Sequence, residues 1–311
     1  MTKNNKVALV TGGAGFIGSE LVKQLAEDDY EVIVYDNLSF GRKENIIKTG
    51  NIKLIEADIL DFDKLSETFL KYRPEYIFHL AALHFIPYCI AHPQETIRVN
   101  VEGTLNVFEA SKLIDIVGLV YTSTAAIYPI KETPHVESDE PGPLEVYGAS
   151  KLAGEFLARI FHYDTKIKVA IARLFNGFGP RETNPHVIPE IIKQLRNKDG
   201  VKLGNITPKR DFIHTYDIAN ALKMLAESSN YDIETINVGT GTSIAVEEII
   251  KIIEKHLKKK IKIISDESRK RKVERFHLVA DNTKLKSMLN WEPKFNLENG
   301  FKNLLIEENL I

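Results

Sequence analysis

A single cysteine in 311 residues, Cys89, excludes an intrachain disulfide, so the fold must be held by its core. No apolar run approaches the length that spans a bilayer, and no leader is expected ahead of the first strand. The cytosol is therefore the expected compartment. Neither sign of charge is in real excess: 41 Lys and Arg stand against 43 Asp and Glu, a formal net charge of −2. That balance gives no electrostatic reason to expect nucleic acid or a membrane surface as partner. The one basic run, Lys258-Lys259-Lys260 with Lys255 and Lys262, follows a helical pattern and reads as a solvated helix end. Repeats, low-complexity tracts and linkers are lacking. No histidine or cysteine pair falls at a metal-ligand spacing, so no metal is expected.

What the chain does have is concentrated at its start. Lys6-Val-Ala-Leu-Val10 reads as a buried strand and runs into Thr11-Gly12-Gly13-Ala14-Gly15-Phe16-Ile17-Gly18. An amphipathic helix follows, with Leu21, Val22, Leu25 and Ala26 on one face, and then a second strand, Glu31–Tyr35, ending at Asp36. Strand, glycine turn, helix, strand and acid in this order form a dinucleotide-binding unit. Glycines let the backbone approach a pyrophosphate, and the helix start offers N–H groups to its charge. A carboxylate at Asp36 suits the adenosine ribose hydroxyls and repels a 2′-phosphate, favouring NAD over NADP. Arg42, six residues on, is the feature that opposes this preference.

Strand-like runs recur at Ile52–Ile55, Tyr76–Leu80, Gly118–Tyr121 and Lys168–Ala172. Helical periodicity fills Asp63–Lys71, Gln94–Lys112 and Tyr147–His162 between them. This alternation predicts an α/β fold with a doubly wound parallel sheet. Residues 1–175 are expected to form the dinucleotide domain, which also receives a strand near 235–239. Residues 176–311 are expected to form mainly a smaller substrate lobe. It would carry helices at Ile188–Leu195, Asp217–Ala226 and Ala245–Leu257 and short strands at Asp211–His214 and Ile261–Ile264.

Tyr147-Gly-Ala-Ser-Lys151 sets a phenol and an ammonium four residues apart, on one helical face. A phenol titrates near ~10, too high for a good base at neutral pH. A neighbouring Lys⁺ and an oxidised nicotinamide would both favour the phenolate. Thr122-Ser123-Thr124 leaves the end of the Gly118–Tyr121 strand, where a hydroxyl can hydrogen-bond a substrate oxygen.

With these residues in view, the chain resembles the extended short-chain dehydrogenase/reductase superfamily, in its NAD-dependent epimerase/dehydratase branch. The likeness extends through Ala57-Asp58-Ile59, His79-Leu-Ala-Ala82, Asn100-Val-Glu-Gly-Thr104, Arg173-Leu-Phe-Asn176, Gly179-Pro180-Arg181 and Lys209-Arg210-Asp211-Phe-Ile-His214. It implies a Rossmann-type sheet with a C-terminal substrate lobe, NAD as cofactor and a nucleotide-sugar substrate, UDP-linked by default. The resemblance assigns Gly12, Gly15, Phe16, Ile17 and Gly18 to the pyrophosphate end and Asp36 and Asn37 to the ribose. It sets Asp58 and Ile59 beside the adenine. Leu80, Ala81, Ala82 and Asn100 fall to the rest of the cofactor site. Thr124, Tyr147 and Lys151 match the catalytic set. His84, Asn176, Val187, Arg210, Arg271 and Glu274 are carried over as substrate contacts, the two arginines on the diphosphate. His79 and His214 lie in apolar strand patterns and read as structural.

The implied reaction is 4-epimerisation through a 4-keto sugar. Relatives that remove water across C5 and C6 carry an Asp-Glu pair after the catalytic Thr, where Ala125 and Ala126 stand here. That departure opposes a 4,6-dehydratase. A 4-dehydrogenase/reductase and a 5,6-dehydratase remain alternatives, as does a non-catalytic NAD sensor or scaffold. Leu278, three residues before Asp281, occupies the position where a bulky aromatic restricts the pocket in such epimerases. An N-acetylated sugar is thus allowed. The resemblance also implies a homodimer through a four-helix bundle of Gln94–Lys112 and Tyr147–His162, presenting Val99, Leu105, Val107, Leu152, Phe156 and Ile160.

Overall fold

The structure, a computed structural model, describes residues 6–198, 200–269 and 275–311. Six strands alternate with helices in the first half: β1 (Val7–Thr11), β2 (Glu31–Asp36), β3 (Ile52–Glu56), β4 (Tyr76–His79), β5 (Gly118–Thr124) and β6 (Lys168–Leu174). The intervening helices are α1 (Phe16–Glu27), α2 (Phe62–Tyr72), α3 (Ile86–Ala91), α4 (Pro93–Ile97), α5 (Gly103–Ser111) and α6 (Val146–Thr165). Shorter strands follow: β7 (Asn176–Phe178), β8 (Gly200–Leu203), β9 (Lys209–Arg210) and β10 (Phe212–His214), then the longer β11 (Ile233–Val238), then β12 (Ile244–Ala245), β13 (Lys262–Ser265) and β14 (His277–Leu278). Among them run α7 (Val187–Leu195), α8 (Thr215–Glu227), α9 (Val246–Leu257), α10 (Thr283–Leu289) and α11 (Leu297–Glu307).

Seven strands form one parallel sheet in the order β11-β6-β5-β4-β1-β2-β3. Its residues are apolar on both faces, and their alternation divides the core in two. Ala8, Val10, Val32 and Val34 pack with Leu21 and Leu25 of α1 and Ile218 and Leu222 of α8. Leu9, Ile33 and Ile77 pack on the other face with Phe69 of α2, Val107 of α5 and Phe161 of α6. Helices on both faces explain why these strands read as unbroken apolar runs. A separate core joins α7, α9 and α11 through Ile191, Ile192, Ile249, Ile253, Phe301 and Leu304. The strand order reverses between β1 and β4, opening a crevice at the strand C-termini where ligands bind in such sheets.

Two elements differ from the sequence expectation. β5 does not stop at Tyr121: Thr122, Ser123 and Thr124 stay in register with Ala172, Arg173 and Leu174 of β6. β4 pairs β5 only as far as Tyr121, so β6 alone carries the ladder over these three residues, and the Thr122 and Ser123 hydroxyls find partners inside the fold. The expected Gln94–Lys112 helix is broken into α4, a π-helical turn over Arg98–Glu102, and α5. No helix among the described residues is long and apolar enough to cross a membrane.

Candidate active site

The crevice opens into a cleft of about 1060 Å³ between the sheet edge and the elements after β6. That is at or above the size of a typical small-molecule pocket, ~300–1,000 Å³. Its first end is built by the glycine turn. Gly12 has φ +70°, and a Cβ there would lie 2.8 Å from the Ala81 amide nitrogen. At Gly18 a Cβ would lie 2.1 Å from the Gly12 carbonyl oxygen, so only glycine lets α1 begin this close to β1. Gly15 caps α1 with no side chain, leaving the first-turn N–H groups toward the cleft. Such a cradle fits a pyrophosphate.

Asp36, at the end of β2, accepts hydrogen bonds from the amides of Ala14 (2.9 Å) and Leu38 (2.8 Å). Burial pushes its carboxyl up, while these two N–H groups pull the other way. The same side chain thus pins the glycine turn and lines the cleft. Asn37 donates to Asp58 (2.8 Å), and Asp58 also accepts from the Leu60 amide. Phe16, Ile17, Ile59, Leu80, Ala81 and Ala82 complete this end.

Asn100 does not reach the cleft, against the expectation that it touches the cofactor. It is fully buried in the π-helical turn, where its amide bonds both the N–H and the carbonyl of Leu83 and donates to Ser150 (2.9 Å). Its role is to fix the loop after β4 against α6. His79 is held between Thr11 (2.7 Å) and Thr104 (2.9 Å), and burial keeps it neutral. His214 stacks on Phe295 and accepts from the Tyr216 amide at the start of α8. Burial lowers His214 to about 4.

Tyr147 and Lys151 face the cleft from the first turns of α6, beside Thr124 at the end of β5. Glu145 caps this helix by accepting from the Tyr147 amide (2.8 Å) and the Gly148 amide (3.2 Å). The Thr124 hydroxyl oxygen accepts from the Ala126 amide (3.1 Å) and stands near the Tyr147 phenol. The nearby Thr124 hydroxyl favours phenolate, but burial outweighs it and pushes the phenol up. The expectation that Lys151 lowers Tyr147 is therefore not met in the protein alone. Lys151 lies 2% exposed with its ammonium over the Tyr121 ring, 4.3 Å from the centroid. Burial brings Lys151 down to about 7, and the nearby Glu155 resists that fall.

Behind this set runs a buried polar network. Ser123 donates to Glu155 (2.5 Å), which Arg173 of β6 grips through Nε (2.9 Å) and a second nitrogen (2.8 Å). Arg173 also donates to Tyr128, whose hydroxyl donates to Asn237 of β11 (2.6 Å). The pattern of residues gave no hint of this pairing, because its members come from five separate segments.

At the far end, His84, Asn176, Val187 and Arg210 line the cleft with Leu278, which pairs with Arg210 between β14 and β9. Arg271 and Glu274 lie outside the described residues. Arg275 reaches the cleft and donates to the carbonyls of Ala126 (2.9 Å) and Tyr128 (3.2 Å). Glu182 and His186 also line this end; the sequence reading reached only the backbone around His186–Ile188 and missed both side chains. Their one available signal was the i,i+4 spacing after Gly179-Pro180-Arg181. The expected dimer face is split: Val107 is buried in the chain's own core, and Val99 and Leu152 pack against internal clusters. Leu105 (42%), Phe156 (59%) and Ile160 (54%) are exposed.

The profile of the GDP-mannose 4,6 dehydratase family matches residues 9–304. A UDP-glucose 4-epimerase of Rhizobium meliloti is 32% identical over 95% of this chain and 94% of its own length. The structure of a UDP-glucose 4-epimerase from Thermotoga maritima with UDP-glucose superposes with a TM-score of 0.90 at 31% identity, covering 97% of this chain and 98% of that one. A UDP-glucuronic acid 4-epimerase from Bacillus cereus, in complex with UDP-glucuronic acid and NAD, gives 0.89 at 28% identity, with 97% and 98% covered. These matches run over nearly the whole length and agree with the parallel sheet. The chain belongs to the NAD-dependent epimerase/dehydratase family of extended short-chain dehydrogenases/reductases.

Proposed function

We propose that this protein is an NAD-dependent nucleotide-sugar 4-epimerase acting on a UDP-hexose, UDP-N-acetylhexosamine or UDP-hexuronate through a transient 4-keto sugar. The observation that carries this reading is that Thr124, Tyr147 and Lys151 line one cleft, with Ala125 and Ala126 after Thr124 in place of acids. NAD is the cofactor, and the glycine cradle, Asp36 and the Asp58–Ile59 segment are the residues that would hold it. When bound, it takes hydride from the sugar and returns it, and its cationic ring favours phenolate nearby.

The chain's own residues handle the proton. Tyr147 removes it from the C4 hydroxyl as base and returns it as acid, positioned by the Thr124 hydroxyl. Lys151 supplies positive charge behind the phenolate and a donor for the cofactor ribose. Neither alanine after Thr124 can move a proton, so no water is eliminated from C5 and C6. Asn176, the segment at Val187, and Arg210 hold the nucleotide diphosphate, leaving the sugar able to turn and present its other face. Leu278 leaves room for a substituent larger than a bulky aromatic would permit. The exposed Leu105, Phe156 and Ile160 support a homodimer built on α5 and α6.

Incubating the purified protein with a panel of these UDP-sugars, without added cofactor, and following the anomeric NMR signals tests the reading. A new signal from the C4 epimer is expected. An accumulating keto or alkene product would contradict it.

A further inference from the structure

The loop after β4 and the segment after β7 bring together three groups that lie up to 102 residues apart in sequence, His84, Glu182 and His186. Each offers one ligating atom, and these atoms all lie within 4.8 Å of one another. His186 Nδ1 stands 3.2 Å from Glu182 Oε2. The edge between two ligands of a tetrahedral ion with bonds of ~2.0–2.1 Å is about 3.3 Å, so that pair already has the needed spacing. The His84 ligand atom lies within 4.8 Å of both.

His84 Nε2 is 3.1 Å from the Asn184 side-chain nitrogen, a neutral partner that a bound ion would replace. Glu182 supplies the second observation. Its side chain is only 5% exposed, and among the described residues His186 is its one ion-pair partner. A buried carboxylate matched by imidazoles, with no lysine or arginine pair, is a cation-seeking group.

We propose that His84, Glu182 and His186 form a binding site for a divalent transition metal of the Zn²⁺ class. Two imidazoles and a carboxylate suit such an ion, and three protein ligands leave a coordination position open. The triad lines the same cleft as Tyr147 and Asn176, so the open position faces the sugar-binding space and would take a hydroxyl or carboxylate oxygen. The site stands on its own geometry, whichever sugar the enzyme uses.

The test is a titration of chelator-treated protein with Zn²⁺, and with Co²⁺ as a spectroscopic probe. One equivalent should bind at micromolar concentration or tighter, and Co²⁺ should show the visible absorption of a low-symmetry His/carboxylate site. Glu182→Gln, which keeps the shape, and His84→Ala and His186→Ala should each weaken binding at least ~10-fold. His256→Ala, which removes a histidine outside the cleft paired with Glu298, should leave the titration unchanged. Circular dichroism and retained NAD binding separate a lost ligand from a lost fold. Binding no tighter than millimolar, or one-equivalent binding that survives Glu182→Gln, would overturn the site.

Discussion

Lys151 carries the sharpest pH dependence expected of a single residue. Its folded value of about 7 lies below the ordinary 10.5 because burial opposes the ammonium. Below pH 7 both folded and unfolded chains hold the proton, and the native state bears the whole cost of a buried cation. Between about 7 and 10.5 the unfolded chain binds the proton while the folded chain releases it, so stability rises with pH across that window. Lys151→Met should therefore stabilise the cofactor-free protein below pH 7, by an amount on the order of a few kcal/mol, and have little effect near pH 10.5. Melting temperatures of both proteins at pH 6 and pH 10 check this; a difference independent of pH would contradict it. Tyr147→Phe removes the proton-transfer group and should lower turnover by at least ~10²-fold with NAD binding retained, as measured by cofactor titration. Both residues were legible in the sequence, because four residues is one helical turn. The side-chain cluster of Glu182 and His186 with His84 and the Glu155–Arg173 pair were not, since distant segments supply their members and only the fold brings them together.

Elements carry the next level of prediction. The β1–α1 turn depends on Gly18, where a Cβ would meet the Gly12 carbonyl oxygen at 2.1 Å. Gly18→Ala should push α1 away from β1, weakening NAD binding at least ~10-fold by titration and destabilising by ~1–3 kcal/mol. Retained affinity would show that the turn tolerates the extra carbon. α6 is tied to β5 and β6 by Glu155, which takes both Ser123 and Arg173. Glu155→Gln leaves a buried guanidinium without its counter-charge and should cost about 3–5 kcal/mol in urea unfolding. The boundaries of these elements were read with uneven success, for physical reasons. Strands buried on both faces stand out as apolar runs, which located β1, β2, β4 and β6 to within a residue or two. The polar end of β5 did not, because Thr122 and Ser123 satisfy their hydroxyls on His79 and Glu155 inside the fold. The π-helical turn at Asn100 is set by that side chain's grip on Leu83, and periodicity holds no trace of it.

On the scale of the whole molecule, β–α alternation sufficed to predict the doubly wound sheet, and the seven-stranded order places the cleft at its reversal. The lobe was less legible, since β9, β12 and β14 are two residues each and pair across the chain. Leu105, Phe156 and Ile160 are each exposed, and the proposed dimer is expected to cover them. Light scattering should give twice the 35.2 kDa of one chain, and Phe156→Glu with Ile160→Glu should shift it toward one. The same monomeric mass before and after would contradict the dimer. The central claim concerns the hydride, which must leave C4 and come back to the same carbon of the same sugar. The most direct measurement uses the UDP-sugar substrate carrying deuterium at C4, with the product followed by NMR and mass spectrometry in ordinary water. The account predicts that the C4 epimer keeps its deuterium there in full. Loss of the label from C4, or its appearance at another carbon, would contradict it.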